Sequence, residues 1–234
     1  MRYPKAVWKG PVPNESSGGM RAPILGLVLH IEQGAEDSAN NWFHNPGAQA
    51  SAHFGNPKSG PIQQWVDTAD MAWAEVNGNP RWYSVEHEGF SGEALTASQV
   101  ENDAQLYAWL HSNYAVPLVV SDDPNKAGLG WHGMGGASWG GHYNCPGDPI
   151  KSQRAAILAR AEVILHPPIP PAVGTPTQAE LDVSNLTLLR SKGRQRKAIA
   201  AGYHLWYYSE NRFVVQFNGV PKVKNIYVNK NALK

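Results

Sequence analysis

With one cysteine in 234 residues, the chain cannot close an internal disulfide, so Cys145 is a free thiol, a nucleophile or a metal ligand. It also lacks any apolar run near the roughly 20 residues that a membrane helix needs. The segment from Met1 to Gly26 carries Arg2, Lys5 and Lys9. It is broken by Pro4, Pro11 and Pro13 and has no continuous apolar stretch of the secretory type, so export by the ordinary route is not expected. Overall charge is nearly absent too, at +1.

That balance hides two unlike halves. Residues 1–176 hold ten Lys and Arg against sixteen Asp and Glu, or −6, while residues 177–234 hold ten against three, or +7. Between them runs His166-Pro-Pro-Ile-Pro-Pro-Ala-Val-Gly-Thr-Pro-Thr177, whose prolines favour extended polyproline II and sustain neither a helix nor a central strand. The length suits one core of roughly 150–180 residues plus something small. The expected organisation is a catalytic domain over 1–166, a linker over 167–178 and a small basic domain over 179–234.

The first domain reads as α/β. Ile24 to Leu29 is a short apolar run that makes a buried strand and delivers His30 to its end. Residues 36–44 read as a helix stopped by Asn45-Pro46, and 50–54 with 61–66 as a hairpin. A strand over 82–88 places Val85 and His87 on one face, Glu86 and Glu88 on the other. Thr96 and Gln99 have capping-box spacing for a helix to about Asn113; Asp148-Pro149 supplies an N-cap and first-turn proline for one to about Leu165. Val116 to Val120 reads as a further buried strand. Strands alternating with helices predict a central mixed sheet flanked by helices.

The chemistry concentrates in Gly130-Trp131-His132 through Cys145-Pro146-Gly147-Asp148, which holds two histidines and the only cysteine within fourteen residues. A thiolate with neutral imidazoles is a good zinc donor set, and three protein ligands leave a position open for reactive water. His30 is the distant third, and either His132 or His142 serves as second ligand.

The order of His30 after a strand, Ser51-Ala-His53-Phe54, Val85-Glu86-His87-Glu88-Gly89, Gly130-Trp-His132 and Gly141-His142-Tyr-Asn-Cys145-Pro-Gly-Asp148 resembles the type-2 N-acetylmuramoyl-L-alanine amidases. It looks most like endolysins of phages that infect actinobacteria; the wider superfamily includes the peptidoglycan recognition proteins. The resemblance covers roughly residues 20–165. It implies zinc on His30, His132 and Cys145, with Glu86 as general base and His142 as oxyanion stabiliser. Glu88 is the rival base. The substrate implied is peptidoglycan, cut between N-acetylmuramic acid and L-alanine, after synthesis in a host cytoplasm and release to the wall. The glycine-rich gap between His132 and Cys145 is longer than family members usually have, and a lid is one reading of it.

Two other readings stand beside this one: a non-catalytic muropeptide binder of the same fold, and a hydrolase with Cys145 as nucleophile. Trp65, Trp73, Trp131 and Trp139 are candidates for a substrate groove, His53 for a residue behind the ligands or in the groove, and His44, His111, His166 and His204 for the surface. In the C-terminal segment, 203–208, 212–217 and 225–228 read as strands with 186–189 as a fourth. Arg190, Lys192, Arg194, Arg196 and Lys197 form a basic cluster suited to an anionic wall polymer. No nucleic-acid recognition motif accompanies that charge.

Overall fold

The computed structural model describes residues 1–35 and 38–167, together with the backbone of five short C-terminal strands. Chain contacts divide the molecule into two units, Met1–Pro167 and Pro168–Lys234.

The first unit is built on a six-stranded mixed sheet. In chain order its strands are β1 (Val7–Trp8), β3 (Gly26–Ile31), β4 (Phe54–Asn56), β5 (Gln63–Gln64), β7 (Trp82–His87) and β8 (Gly128–Trp131), with β2 (Glu15–Ser16) and β6 (Met71–Ala72) forming a separate antiparallel pair. The spatial order is β1-β5-β4-β7-β3-β8. β3 lies parallel to both β7 and β8, β4 is parallel to β7, and only β4 and β5 run antiparallel.

Alternation along the strands sorts the side chains onto two faces. Leu27, Leu29 and Ile31 of β3, with Tyr83 and Val85 of β7, pack into the main core against α2 (Ala97–Tyr114) and α4 (Arg154–Leu165). On the opposite face, Val28 and Trp82 pack with Trp139. His30, two residues beyond Val28, and Glu86, four beyond Trp82, therefore emerge beside each other near the strands' carboxyl ends, and the register pairs them directly. Ligand sites in open α/β sheets gather at those ends.

Several local expectations hold in detail. α2 begins at a full capping box, Thr96 accepting from the Gln99 backbone while the Gln99 side chain accepts from the Thr96 N–H. The short α1 (Ser38–Phe43) and β5 fall within the segments predicted for them, while β4, antiparallel to β5 with Phe54 opposite Gln64, starts at the last residue of its predicted strand and runs on to Asn56.

Two do not. The helix expected from Asp148 to Leu165 is two helices, α3 (Asp148–Ser152) and α4, and Asp148 is the first helical residue rather than the cap. The side chain of Gln153, at the junction, both donates to the Leu95 carbonyl and accepts from the Leu95 N–H, which fixes the break. The strand expected over 116–120 is reduced to a single bridge from Val120 to Leu129. Pro117 has no N–H to give a ladder, and Val119 and Val120 are exposed rather than buried.

In the C-terminal unit, β11 (Tyr203–Ser209), β12 (Arg212–Phe217) and β13 (Val220–Lys224) form an antiparallel sheet, and β9 (Leu188–Leu189) pairs with β10 (Lys197–Ala198). The third strand thus starts at Val220, directly after Asn218-Gly219, a dipeptide favoured in two-residue hairpins. The expected strand at 225–228, the linker from 168 to 178 and all of the basic cluster but Lys197 lie outside the described residues. Among the described residues, no helix is long and apolar enough to cross a membrane.

Candidate metal centre

Three adjacent parallel strands supply the site. β3 carries His30 as its penultimate residue, β7 carries Glu86 opposite it, and β8 ends one residue before His132. The fourth contributor, Cys145, comes from the loop before α3. The Gly133 N–H donates to the Cys145 carbonyl at 3.0 Å, tying the two ligand segments together. A Cβ at Gly133 would meet the Tyr143 carbonyl oxygen at 2.6 Å, so only glycine permits that approach. The long gap between His132 and Cys145 is taken up by short 3-10 turns over His132–Trp139, broken at Gly136, whose positive φ suits glycine. It packs through Trp139 into the core.

The donor atoms of His30, His132 and Cys145 all lie within 4.8 Å of one another. Hydrogen bonds engage one ring nitrogen of each histidine. His132 Nε2 lies 3.1 Å from the Trp139 carbonyl; a carbonyl only accepts, so Nε2 carries the proton and Nδ1 keeps its lone pair. His30 Nε2 lies 3.0 Å from Glu75 Oε1, and Glu86 Oε1 sits 3.7 Å from His30 Nδ1. The rings of His30 and His132 approach to 4.3 Å between centroids. Two imidazoles anchored by the far nitrogen, with a thiol completing the set, fit a tetrahedral divalent ion with one open position.

The electrostatics agree. Burial lowers His30 well below the ordinary histidine value, His132, His87 and His142 adding to the effect, and burial lowers His132 to about 4. Both are therefore neutral, as a ligand must be. Burial raises the Cys145 thiol to about 12, and the carboxylates of Glu86 and Glu75 reinforce it. Without a cation that sulfur holds its proton at neutral pH and is a poor nucleophile. Burial raises Glu86 to about 7 against the opposing charge of His87, and its Oε2 has no donor among the described residues. A carboxylate poised near neutrality suits general acid–base work.

Glu88, the rival base, is engaged elsewhere: its Oε2 accepts the Lys58 N–H at 2.7 Å. His142 is not part of the triad but stacks on His132 at 4.6 Å. Together with Gln33, Ser91, Tyr143 and Cys145 it lines an open cleft of about 360 Å³. His87 packs on the helix side, opposite to Glu86. Its Nδ1 donates to the His30 carbonyl at 2.7 Å and its Nε2 to Asp103 at 2.8 Å. Burial alone would lower His87, but the Asp103 carboxylate, the His30 carbonyl and the charge of Glu86 together outweigh it and raise the pKa. The pair is a buried ion pair, the kind whose disruption on one side costs about 3–5 kcal/mol.

Two of the expected groove residues fall away. Trp65 and Trp139 are 1% and 3% exposed and belong to the core. Trp73 donates to Ser16, and Trp131, half-buried, donates to Asp122 beneath the Lys151 ammonium. His44 and His166 are at the surface, whereas His111 is half-buried and bonds the Val116 carbonyl. The residue that sequence reasoning missed is Glu75. Its carboxyl is completely buried and its pKa stands well above the ordinary value, through burial and then the charge of Glu86. Asn79 positions it by accepting the Ala74 and Glu75 N–H groups with one side-chain oxygen. No motif announces it; a glutamate inside the apolar Met71 to Val76 stretch is the only signal.

The family model described as N-acetylmuramoyl-L-alanine amidase, Amidase_2, matches residues 20–148, more than half of the chain, and the chain belongs to that family. Its activity is that of an N-acetylmuramoyl-L-alanine amidase acting on peptidoglycan. N-acetylmuramoyl-L-alanine amidase A of Achromobacter lyticus is 30% identical over an alignment of 148 residues that covers 56% of this chain and 81% of that one. Two solved structures share the fold. The hydrolase AmiA of Staphylococcus aureus is 16% identical, with a TM-score of 0.56 over 71% of this chain and 87% of its own. An AmpD structure is 19% identical, with a TM-score of 0.52 over 67% of this chain and 96% of its own.

His53 gives a pH prediction that is separate from the metal. It is fully buried, hydrogen-bonded to Ser84 and the Asp70 carbonyl, and burial lowers its pKa from 6.5 to about 4. A folded value below the unfolded one gives stability that is complete above pH 6.5 and lost as pH falls through about 4. Denaturant titrations should show wild type losing more stability over that window than His53→Gln; parallel curves would contradict the assignment.

Proposed function

We propose that the chain is a zinc-dependent amidase in which His30, His132 and Cys145 hold the ion, Glu86 is the general base and His142 stabilises the oxyanion. The observation that carries this reading is the convergence of one donor atom from each of His30, His132 and Cys145 within 4.8 Å of one another, with the Nε2 atoms of the two histidines engaged by Glu75 and by the Trp139 carbonyl. Zinc, when bound, acidifies a water and polarises the carbonyl under attack.

The chain's own groups do the rest. Glu86, buried beside His30 and raised toward neutrality, takes the proton of the attacking water and returns it to the leaving L-alanine nitrogen. His142, on the cleft side of His132, donates to the tetrahedral oxygen; one such donor is worth about 3–4 kcal/mol at the transition state. The reading with Cys145 as nucleophile is disfavoured by a thiol raised to about 12.

For the C-terminal unit we propose contact with an anionic wall polymer, supported by the +7 balance of residues 177–234. The physiological role proposed is that of a phage endolysin, made in the host cytoplasm and acting on the wall after release. Its support is the motif order alone, and it has a direct check. Cytoplasmic expression should leave cells intact until a membrane pore is co-expressed; lysis without a pore would contradict that route.

The activity is tested by mass spectrometry of digested peptidoglycan. The expected products are stem peptides with free L-alanine amino termini and intact glycan strands, lost on chelation and restored by zinc. Glu86→Ala should keep its zinc and yield no product. Undiminished hydrolysis in the chelated protein or in that variant would overturn the respective assignment.

A further inference from the structure

Two residues beyond His30 and Glu86, the same strand ends carry a second pair of acids. Glu32 follows β3 and donates its N–H to the His87 carbonyl at 3.0 Å, and Glu88 follows β7. Between them and the β4–β5 hairpin lies a separate cavity of about 10 Å³, lined by Glu32, Glu88, Gln63, Asn56 and Trp65 among others. That is room for a single water-sized occupant.

The polar lining is short of donors. Gln63 is only 5% exposed, and its Oε1 has no hydrogen-bond partner among the described residues; Glu32 Oε1 is likewise buried and unpartnered. The Asn56 amide nitrogen is spent on the Gln99 carbonyl and Asp103. The neighbouring cation, Lys58, reaches Glu93 with its ammonium at 2.8 Å and offers Glu88 only its backbone N–H. Leaving a buried acceptor unpaired is costly, more so when it is charged, so carboxylates and an amide oxygen around a one-atom cavity call for a positive occupant.

We propose that this cavity binds one hard divalent cation of the calcium class, held by the Glu32 and Glu88 carboxylates and the Gln63 side-chain oxygen. The donor set is all oxygen, which selects such ions over zinc, whereas the neighbouring His-His-Cys set selects the reverse. The ion bridges the ends of β3 and β7 to the hairpin, and its role is to brace the strand ends that present His30 and Glu86. The inference rests on this cavity alone and not on the zinc reading.

Trp65 in the cavity wall supplies a direct probe. In full-length protein saturated with zinc, so that the His-His-Cys site is filled, terbium as a calcium stand-in should give tryptophan-sensitised emission that saturates at one ion per chain. Calcium should displace it. Glu32→Gln and Gln63→Leu, each checked for native circular dichroism and retained zinc, should lose the saturable emission. Should Glu32→Gln fail to fold, Gln63→Leu carries the same comparison. Absence of saturable emission in the wild type means a cavity that holds only water, and emission unchanged in the folded variants means an ion bound elsewhere; either result overturns the proposal.

Discussion

His30 and His132 are each held by the nitrogen that faces away from the cleft, one by the buried carboxyl of Glu75 at 3.0 Å and the other by the Trp139 carbonyl at 3.1 Å. Everything chemical about the site follows from that constraint. It fixes the tautomer of His132 outright, holds both rings where a donor atom of each lies within 4.8 Å of the other and of the Cys145 sulfur, and leaves Glu86 3.7 Å from the other ring nitrogen of His30. Without such anchors, two imidazoles on short side chains would populate several rotamers, and a metal would have to supply the cost of ordering them.

The fold pays for these anchors with buried polar groups, each of which is tied into a network. His87 joins the carbonyl of His30 to Asp103 on α2, Asp103 accepts from Asn56 on β4, and Asn56 also reaches the Gln99 carbonyl. The main core under β3 and β7 and the ligands above them are therefore coupled through hydrogen bonds as well as packing. A site built on strand ends in this way is held more precisely than one carried on loops. Cys145, the candidate ligand from the loop before α3, is held by the Gly133 bond to its carbonyl.

Much of this was legible in the sequence because alternation is strict. A strand at 24–29 followed by a histidine, and a strand carrying Glu86 with Val85 and His87 on its other face, required only a period of two, and both faces are where that period puts them. The capping box at Thr96 is equally local. What escaped depends on tertiary contacts. Glu75 acts from an irregular segment with no periodicity, Gln153 breaks a helix through a bond to Leu95 far along the chain, and Trp65 and Trp139 are buried by neighbours that composition cannot reveal. The choice between His132 and His142 likewise needed the loop's actual course.

The central claim is a mixed nitrogen and sulfur shell, and X-ray absorption at the zinc edge of the zinc-loaded protein reads that shell directly. The account predicts one sulfur at about 2.3 Å and two imidazole nitrogens at about 2.0–2.1 Å, with a lighter atom in the open position. A shell of nitrogen and oxygen with no sulfur would contradict it.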